Sequence, residues 1–518
     1  MIYFLLVDRF ANGDPSNDGR VDLADPQAFH GGDLAGVTQK LDYLAELGVD
    51  TVWMGPIAAM RDEPFYGHGA FHGYWTEALG LVEPRFGTEQ ELGTLRQAAA
   101  ARNVSIVLDM VYNHVAPEHA WVSARPDWFH RRGPIRDWGD PTEAQTHDVH
   151  GLPDLDQDNP AVYAWLRDTS LSWLARVGPM GFRLDAVRHL DVSFLRRMGA
   201  ELRAAAGPGF ELWGEVFDGN GKVVADTRDA AGLDATFDFP LHYAMRDVVC
   251  DGGPAAAIPA VLDRSRHDAP GRWITFLDNH DTPRITTMCH GEAWRVDLAL
   301  ELLFALRGRP MVTWGTEWGA TGAGEPDNRA DMRWAPADAA ERDGWMSRLV
   351  LLRSRAAERR ATPALREGRS RTLAIGLDWF VVERAAGAER RWVVYNGGAA
   401  PIEVAGLHVD AHDVVVVDPT ALGLRAPVVR SGPVRVRVSG VPPLGPGDTV
   451  RLVGGAPELG DWVPGAAPVV PGRVRLDAAV YAYKLAIVRA DGRVEWSAAA
   501  NGFRLGGGGE LEVGWAGG

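Results

Sequence analysis

Three carboxylates stand out because each closes a short apolar run. They are Asp185 after Gly181-Phe182-Arg183-Leu184, Glu215 after Phe210-Glu211-Leu212-Trp213-Gly214, and Asp281 after Trp273-Ile274-Thr275-Phe276-Leu277-Asp278-Asn279-His280. Cleaving an acetal between two sugars takes an acid to protonate the leaving oxygen and a second carboxylate to attack the anomeric carbon or activate water. The acid is the group whose pKa is raised, and the nucleophile is the one held ionised. On a strand, Arg183 and Asp185 fall on one side, and a guanidinium beside a carboxylate keeps it charged. Asp185 therefore reads as the nucleophile. Glu215, with no basic neighbour in its own stretch, reads as the acid/base, and Asp281 as a third acid that orients hydroxyls around an oxocarbenium-like state. His114 and His280 can donate to the same ring hydroxyls, although a lone histidine more often serves structure. The competing chemistry is a metallohydrolase built on the same His and Asp residues, and the absence of any H-E-x-x-H-like spacing weakens it.

The elements that must carry these groups follow a strand-helix rhythm. Strands are expected at 2–7, 49–54, 104–111, 181–185, 210–216, 235–240, 273–277 and 310–314, with helices between them at 36–47, 88–102, 161–177 and 191–206. Residues 57–87 read as a long loop carrying His72-Gly73-Tyr74-Trp75, and 115–160 as an irregular insertion rich in Asp, His, Trp, Pro and Gly. Eight such units close a (β/α)8 barrel, whose active sites lie where the strands end at the C-terminal face. The acidic and histidine residues fall there repeatedly. Beyond residue 365 the pattern turns to alternating strands, so the expected fold is multidomain. It comprises a (β/α)8 barrel over 1–365 with the 115–160 insertion, an antiparallel sandwich over 366–430, and an all-β module over 434–518.

Composition sets limits on partners. The 518 residues carry a formal charge of −16, which argues against a nucleic-acid surface and is compatible with a neutral substrate. Nineteen tryptophans exceed what a core needs and lean toward flat sugar rings. Cys250 and Cys289 are the only cysteines, so no disulfide framework is expected to stabilise the fold. No run is apolar enough to span a bilayer, and Met1 passes directly into the first strand, as in a cytoplasmic chain or a mature secreted one. Oxygen-bearing residues crowd the loops Asn12-Gly13-Asp14-Pro15-Ser16-Asn17-Asp18 and Gly31-Gly32-Asp33, a composition that suits either a hard cation or a set of Asx turns.

Five segments together resemble the α-amylase superfamily, glycoside hydrolase family 13, over residues 1 to about 430. They are Asp109-Met110-Val111-Tyr112-Asn113-His114, Leu152-Pro153-Asp154-Leu155-Asp156, 181–189, Gly214-Glu215-Val216 and 276–281. The resemblance implies a retaining α-glucan hydrolase with Asp185 as nucleophile, Glu215 as acid/base and Asp281 as transition-state stabiliser. It further implies that Arg183, His114, His280, Asp109 and a stacking Tyr74 shape the sugar subsite before the bond, with Arg188 and His189 on the leaving-group side. It implies two calcium sites as well: one from Asn113, Asp154 and the His189 carbonyl, the other from Asn12, Asp14, Asn17, Asp18, Gly31 and Asp33. The C-terminal stretch resembles a family 20 starch-binding module through Leu459-Gly460-Asp461-Trp462, Tyr483-Lys484 and Val494-Glu495-Trp496, with Trp462 and Trp496 as platforms and Lys484 as a polar contact. The implied protein is an extracellular, monomeric, maltose-forming amylase acting on starch, related α-glucans or cyclodextrins. An endo-acting α-amylase and a cyclodextrin glucanotransferase are the alternatives; a non-catalytic glucan-binding relative would have lost one of the three carboxylates.

Overall fold

A computed structural model describes residues 1–516, which divide into two compact units. The first comprises Met1–Phe239, Gly271–Ala293 and Gly308–Glu358. Its strands are β1 (Ile2–Leu5), β2 (Thr51–Met54), β3 (Ala58–Met60), β4 (Thr76–Val82), β5 (Ser105–Met110), β6 (Gly181–Leu184), β7 (Glu211–Gly214), β8 (Ala235–Phe237), β9 (Trp273–Phe276) and β10 (Arg309–Thr313). Eight of these close an all-parallel barrel in the order β1-β10-β9-β8-β7-β6-β5-β2. Strands surrounded on both faces must be apolar throughout, and β1, β2, β6 and β9 are buried at every residue. Large aromatics fill the interior, with Phe4 stacked on Trp53 at 3.8 Å between ring centroids.

The helices between these strands begin and end where side chains can satisfy their free backbone groups. The helix Glu89–Ala100 starts with a capping box in which Thr88 and Glu91 exchange hydrogen bonds. The helix Pro160–Val177 has Asn159 as its cap, proline at its first position and a left-handed Gly178 at its end. The single helix expected over 36–47 is two, Leu34–Gln39 and Leu41–Leu47, because Lys40 leaves helical geometry at φ −97° and ψ 5°. The loop expected over 57–87 contains the antiparallel β3–β4 hairpin, whose alternation is blurred by two register shifts. The insertion holds two short helices, Trp121–Ala124 and Pro141–Thr146.

The second unit comprises Pro240–Pro270, Trp294–Arg307 and the chain from Arg359 on. Its strands are β11 (Arg369–Ile375), β12 (Trp379–Ala386), β13 (Glu389–Asn396), β14 (Ile402–Val404), β15 (Leu407–Val409), β16 (Asp413–Val417), β17 (Gly432–Ser439), β18 (Thr449–Gly454), β19 (Gly472–Leu476), β20 (Val480–Val488), β21 (Val494–Trp496), β22 (Gly502–Leu505) and β23 (Glu510–Gly514). β11 and β12 form an antiparallel hairpin. β11-β12-β13-β16 form one sheet, covered by the β14–β15 hairpin around a core of Leu373, Val381, Trp392, Val394, Val404 and Val409. The last module pairs the sheet β19-β17-β23 with β18-β20-β21, and β22 adds to β20; Val434, Val436, Leu452, Leu485 and Ile487 lie in its core.

Two expectations need correction. Neither cysteine is a free thiol: Cys250 and Cys289 are both disulfide-bonded. Among the described residues, no group of three or more His, Cys, Asp or Glu side chains is placed to hold a metal ion, which overturns both calcium sites. Asp33 instead accepts from the backbone N–H groups of Gly13, Asp14 and Gly36, capping the helix Leu34–Gln39. Asp14 closes its own turn on Ser16, Asp18 accepts from the Asn12 amide, Asn17 contributes only a neutral amide, and the Gly31 N–H goes to Asp8. At the other site, burial pushes the Asp154 carboxyl up to about 7, and His130 pairs with it at 2.6 Å. The Asn113 amide, turned so that its nitrogen meets acceptors, donates to Asp154 Oδ1 (3.2 Å) and the His189 carbonyl (2.8 Å). Among the described residues, no helix is long and apolar enough to cross a membrane.

Candidate active site

Register across the barrel brings the charged groups together. Arg183 on β6 lies opposite Asp109 on β5 and Trp213 on β7, so Asp185 and Glu215 each follow the last paired residue of neighbouring strands. Arg183 is 1% exposed and is the hub: Nη1 donates to Asp109 (2.9 and 3.0 Å) and to Asp185 Oδ1 (2.8 Å), while Nη2 lies 2.8 Å from Glu215 Oε1. Glu215, which has no basic neighbour in its own stretch, therefore gains one in three dimensions. β6 and β7 are adjacent, and one guanidinium spans both carboxylates.

What separates the carboxylates is their surroundings. Burial, followed by repulsion from Asp185 and Asp281, drives the Glu215 pKa well above the usual carboxylate range against the pull of Arg183. Asp281 is also pushed up by burial, but His280, Arg329 and Arg183 more than offset this and hold it below the ordinary value. Asp109, buried beneath the site, is raised by burial; it accepts from Tyr74 Oη at 2.9 Å and from Trp53 Nε1 at 3.2 Å. A local backbone outlier contributes as well. Ala186 adopts a left-handed φ of 51°, which turns its N–H to 3.2 Å from Glu215 Oε2.

The aromatic and histidine groups frame this cluster. Gly73, at φ 88°, sits so close to the Pro56 carbonyl that a Cβ would approach it to 2.3 Å, and the turn it permits sets His72 and Tyr74 side by side. The Tyr74 ring stacks on His280 at 5.2 Å with only 4° between planes. His114 bonds the Tyr74 carbonyl (3.2 Å), and burial lowers its pKa; burial also drives His280 down to about 3, so both rings are neutral hydrogen-bonding groups. His189 is anchored through Nδ1 on the Ala144 carbonyl (2.7 Å), and Arg188 reaches Asp218 (3.3 Å). Thus Arg183, Asp109, Asp185, Glu215 and Tyr74 are directly linked by polar contacts, and His280 and Asp281 adjoin them. Trp462, Lys484 and Trp496 belong to the second unit.

Sequence reasoning missed three features. Arg329, in the loop after β10, lies 3.1 Å from Asp281 Oδ1, donates to the His280 carbonyl at 2.9 Å, and is itself paired with Glu325 at 2.8 Å. Trp138, 49% exposed, packs against His150 and edge-on to His189 at 6.0 Å. Phe217, two residues past Glu215, is 43% exposed and packs on Phe239 at 4.3 Å. Only the position of Phe217 next to a singled-out carboxylate was open to a reader of the sequence.

A barrel whose strand ends bring together a carboxyl raised by burial, two more paired with guanidinium groups, and a flat aromatic floor defines the class of carboxylate-based glycoside hydrolases. The family model described as "Alpha amylase, catalytic domain" matches residues 4–348. A beta/alpha-amylase of Paenibacillus polymyxa is 33% identical over 64% of this chain and 29% of its own length, so the chain spans under a third of that relative. A cyclomaltodextrin glucanotransferase of Klebsiella oxytoca is 28% identical over 77% of this chain and 70% of its own. The solved alpha-amylase of Geobacillus thermoleovorans, complexed with acarbose, superposes with a TM-score of 0.72 at 30% identity, covering 80% of this chain and 97% of that one. The chain belongs to the alpha-amylase family of glycoside hydrolases.

Proposed function

We propose that the chain hydrolyses α-1,4-glucosidic bonds of starch and related α-glucans with retention of anomeric configuration. The observation that carries this is the single buried guanidinium of Arg183 shared by Asp185 and Glu215, with burial driving the Glu215 carboxyl upward. Protonated Glu215 gives its proton to the glycosidic oxygen as the C1–O bond breaks, and ionised Asp185 forms a bond to C1. Glu215, now a carboxylate, takes a proton from water as that water displaces Asp185, restoring both groups. Asp281, kept ionised by Arg329 and Arg183, and the neutral His114 and His280 hold ring hydroxyls while Tyr74 stacks beneath the sugar. Arg188 and His189 meet the departing glucan.

On this reading 1–365 is the catalytic domain with 115–160 inserted, 366–430 a sandwich, and 434–518 a starch-binding module. In the module, Lys484 pairs with Val453 and Trp496 with Ala486, while Trp462 packs on the same Val453–Ala486 patch; paired and alternate residues share a face of a sheet. That arrangement supports two indole platforms flanking a lysine. A disulfide is at home in an oxidising compartment, which supports an extracellular setting. Maltose is the product we favour. Transfer to a second glucan is the other reading, favoured by the exposed Trp138 and Phe217, which can hold a leaving or accepting chain against water. Proton NMR of early products tests the chemistry: α-anomers are expected first, and β-anomers would refute retention. Products from starch and β-cyclodextrin decide between maltose release and transfer.

A further inference from the structure

The residues Gly460, Asp461 and Trp462 form a run of three consecutive left-handed residues, at φ 78°, 53° and 65°. A glycine tolerates this; an aspartate does so occasionally; a tryptophan in that region is an outlier, and no local preference holds it there. The Trp462 N–H is tied to the Gly454 carbonyl at 2.7 Å and the Asp461 N–H to the Ala456 carbonyl at 3.0 Å, so the turn is clamped onto the end of β18. A further restraint comes from outside the module's own sequence. Arg264, the last residue of the helix Ala257–Arg264 in the same unit, places Nη1 against both the Asp461 carboxylate, in the middle of the turn, and the Gly455 carbonyl before it. The helix around it is itself fixed: the neighbouring Asp263, 2% exposed, accepts from the Val480 N–H at 2.8 Å.

Strained backbone persists where surrounding contacts over-determine it, and such sites cluster at ligand contacts. We propose that Arg264 is a positioning residue for the glucan-binding face of the C-terminal module, holding the 460–462 turn so that the Trp462 indole lies on the Val453–Ala486 patch beside Trp496. Arg264 touches no sugar. Its Nη1, set against both Asp461 and Gly455, keeps the indole in place before ligand arrives, so binding does not have to order the turn. This inference rests on the reading of 434–518 as a starch-binding module.

The test is an adsorption isotherm on granular starch, using the full chain with Glu215→Gln so that the starch is not consumed. Arg264→Ala is expected to weaken adsorption about tenfold, and Arg264→Lys, which restores a cation opposite Asp461, to recover most of it. Arg266→Ala serves as the control. Arg266 lies 3.8 Å from Asp477, away from the turn, and its loss is expected to leave the isotherm within about twofold of the parent. Equal weakening by Arg266→Ala would assign the effect to general docking and overturn the role of Arg264. Trp462→Ala with Trp496→Ala separates the two layers. If that pair weakens adsorption while Arg264→Ala does not, the inference fails and the module reading stands; if the pair has no effect, the module reading itself fails.

Discussion

Replacing Arg329 with glutamine removes the cation next to Asp281 while leaving a side chain that can still reach the His280 carbonyl. Arg329 lies 3.1 Å from Asp281 Oδ1, and it is one of three groups, with His280 and Arg183, that hold this carboxyl below its ordinary pKa. A hydrogen bond to a charged group contributes about 1.5–3 kcal/mol. The Asp281 side chain is 32% exposed, so solvent screens the pair and the lower end of that range applies. Since Asp281 must be ionised to act and protonates as pH falls, raising its pKa moves the acid limb of kcat/KM to higher pH. That limb reports the free enzyme. The assay is kcat/KM on a soluble maltooligosaccharide across the pH range, with the melting temperature followed alongside. An acid limb that stays in place while activity falls uniformly would refute the electrostatic role and leave Arg329 as a loop brace.

Other outcomes follow from the same geometry. The alkaline limb of kcat/KM should lie well above the ordinary carboxylate range, because Glu215 is raised by burial and by Asp185 and Asp281, and the acid form is lost only as pH rises through its shifted pKa. In Asp185→Asn, one source of repulsion is gone, so a carbon-13 NMR titration should find Glu215 lower than in the parent; no change would refute the contribution of Asp185. Trp138→Ala and Phe217→Ala should raise KM for maltoheptaose several-fold more than for maltotriose and cut transfer products, as expected for exposed rings near His189 and Glu215. Equal effects on both substrates would place these rings outside the glucan path.

The barrel was legible because its strands are short apolar runs separated by well-capped helices, and the three carboxylates because each closes such a run. The shared role of Arg183 was not legible: it depends on β6 lying beside β7, which spacing along the chain does not reveal. Arg329 meets Asp281 only because β9 and β10 are neighbours whose loops converge. The calcium expectation failed for a related reason. Loop composition showed oxygen-bearing residues, but Asp33 is committed to backbone N–H groups and Asp154 to His130. The hairpin β3–β4 was hidden by its register shifts, and the disulfide by the wide sequence separation of the only two cysteines.

The central claim is that Glu215 supplies the proton and Asp185 the bond to the sugar. The most direct measurement is kcat of Glu215→Gln on starch, with adsorption and melting temperature checked on the same sample. Glutamine keeps an acceptor for Arg183 but has no proton to give at ordinary pH. The account expects kcat to fall by at least about 10²–10⁴-fold, the usual contribution of general acid catalysis, while adsorption and folding stay near those of the parent. Turnover within a few-fold of the parent would contradict it.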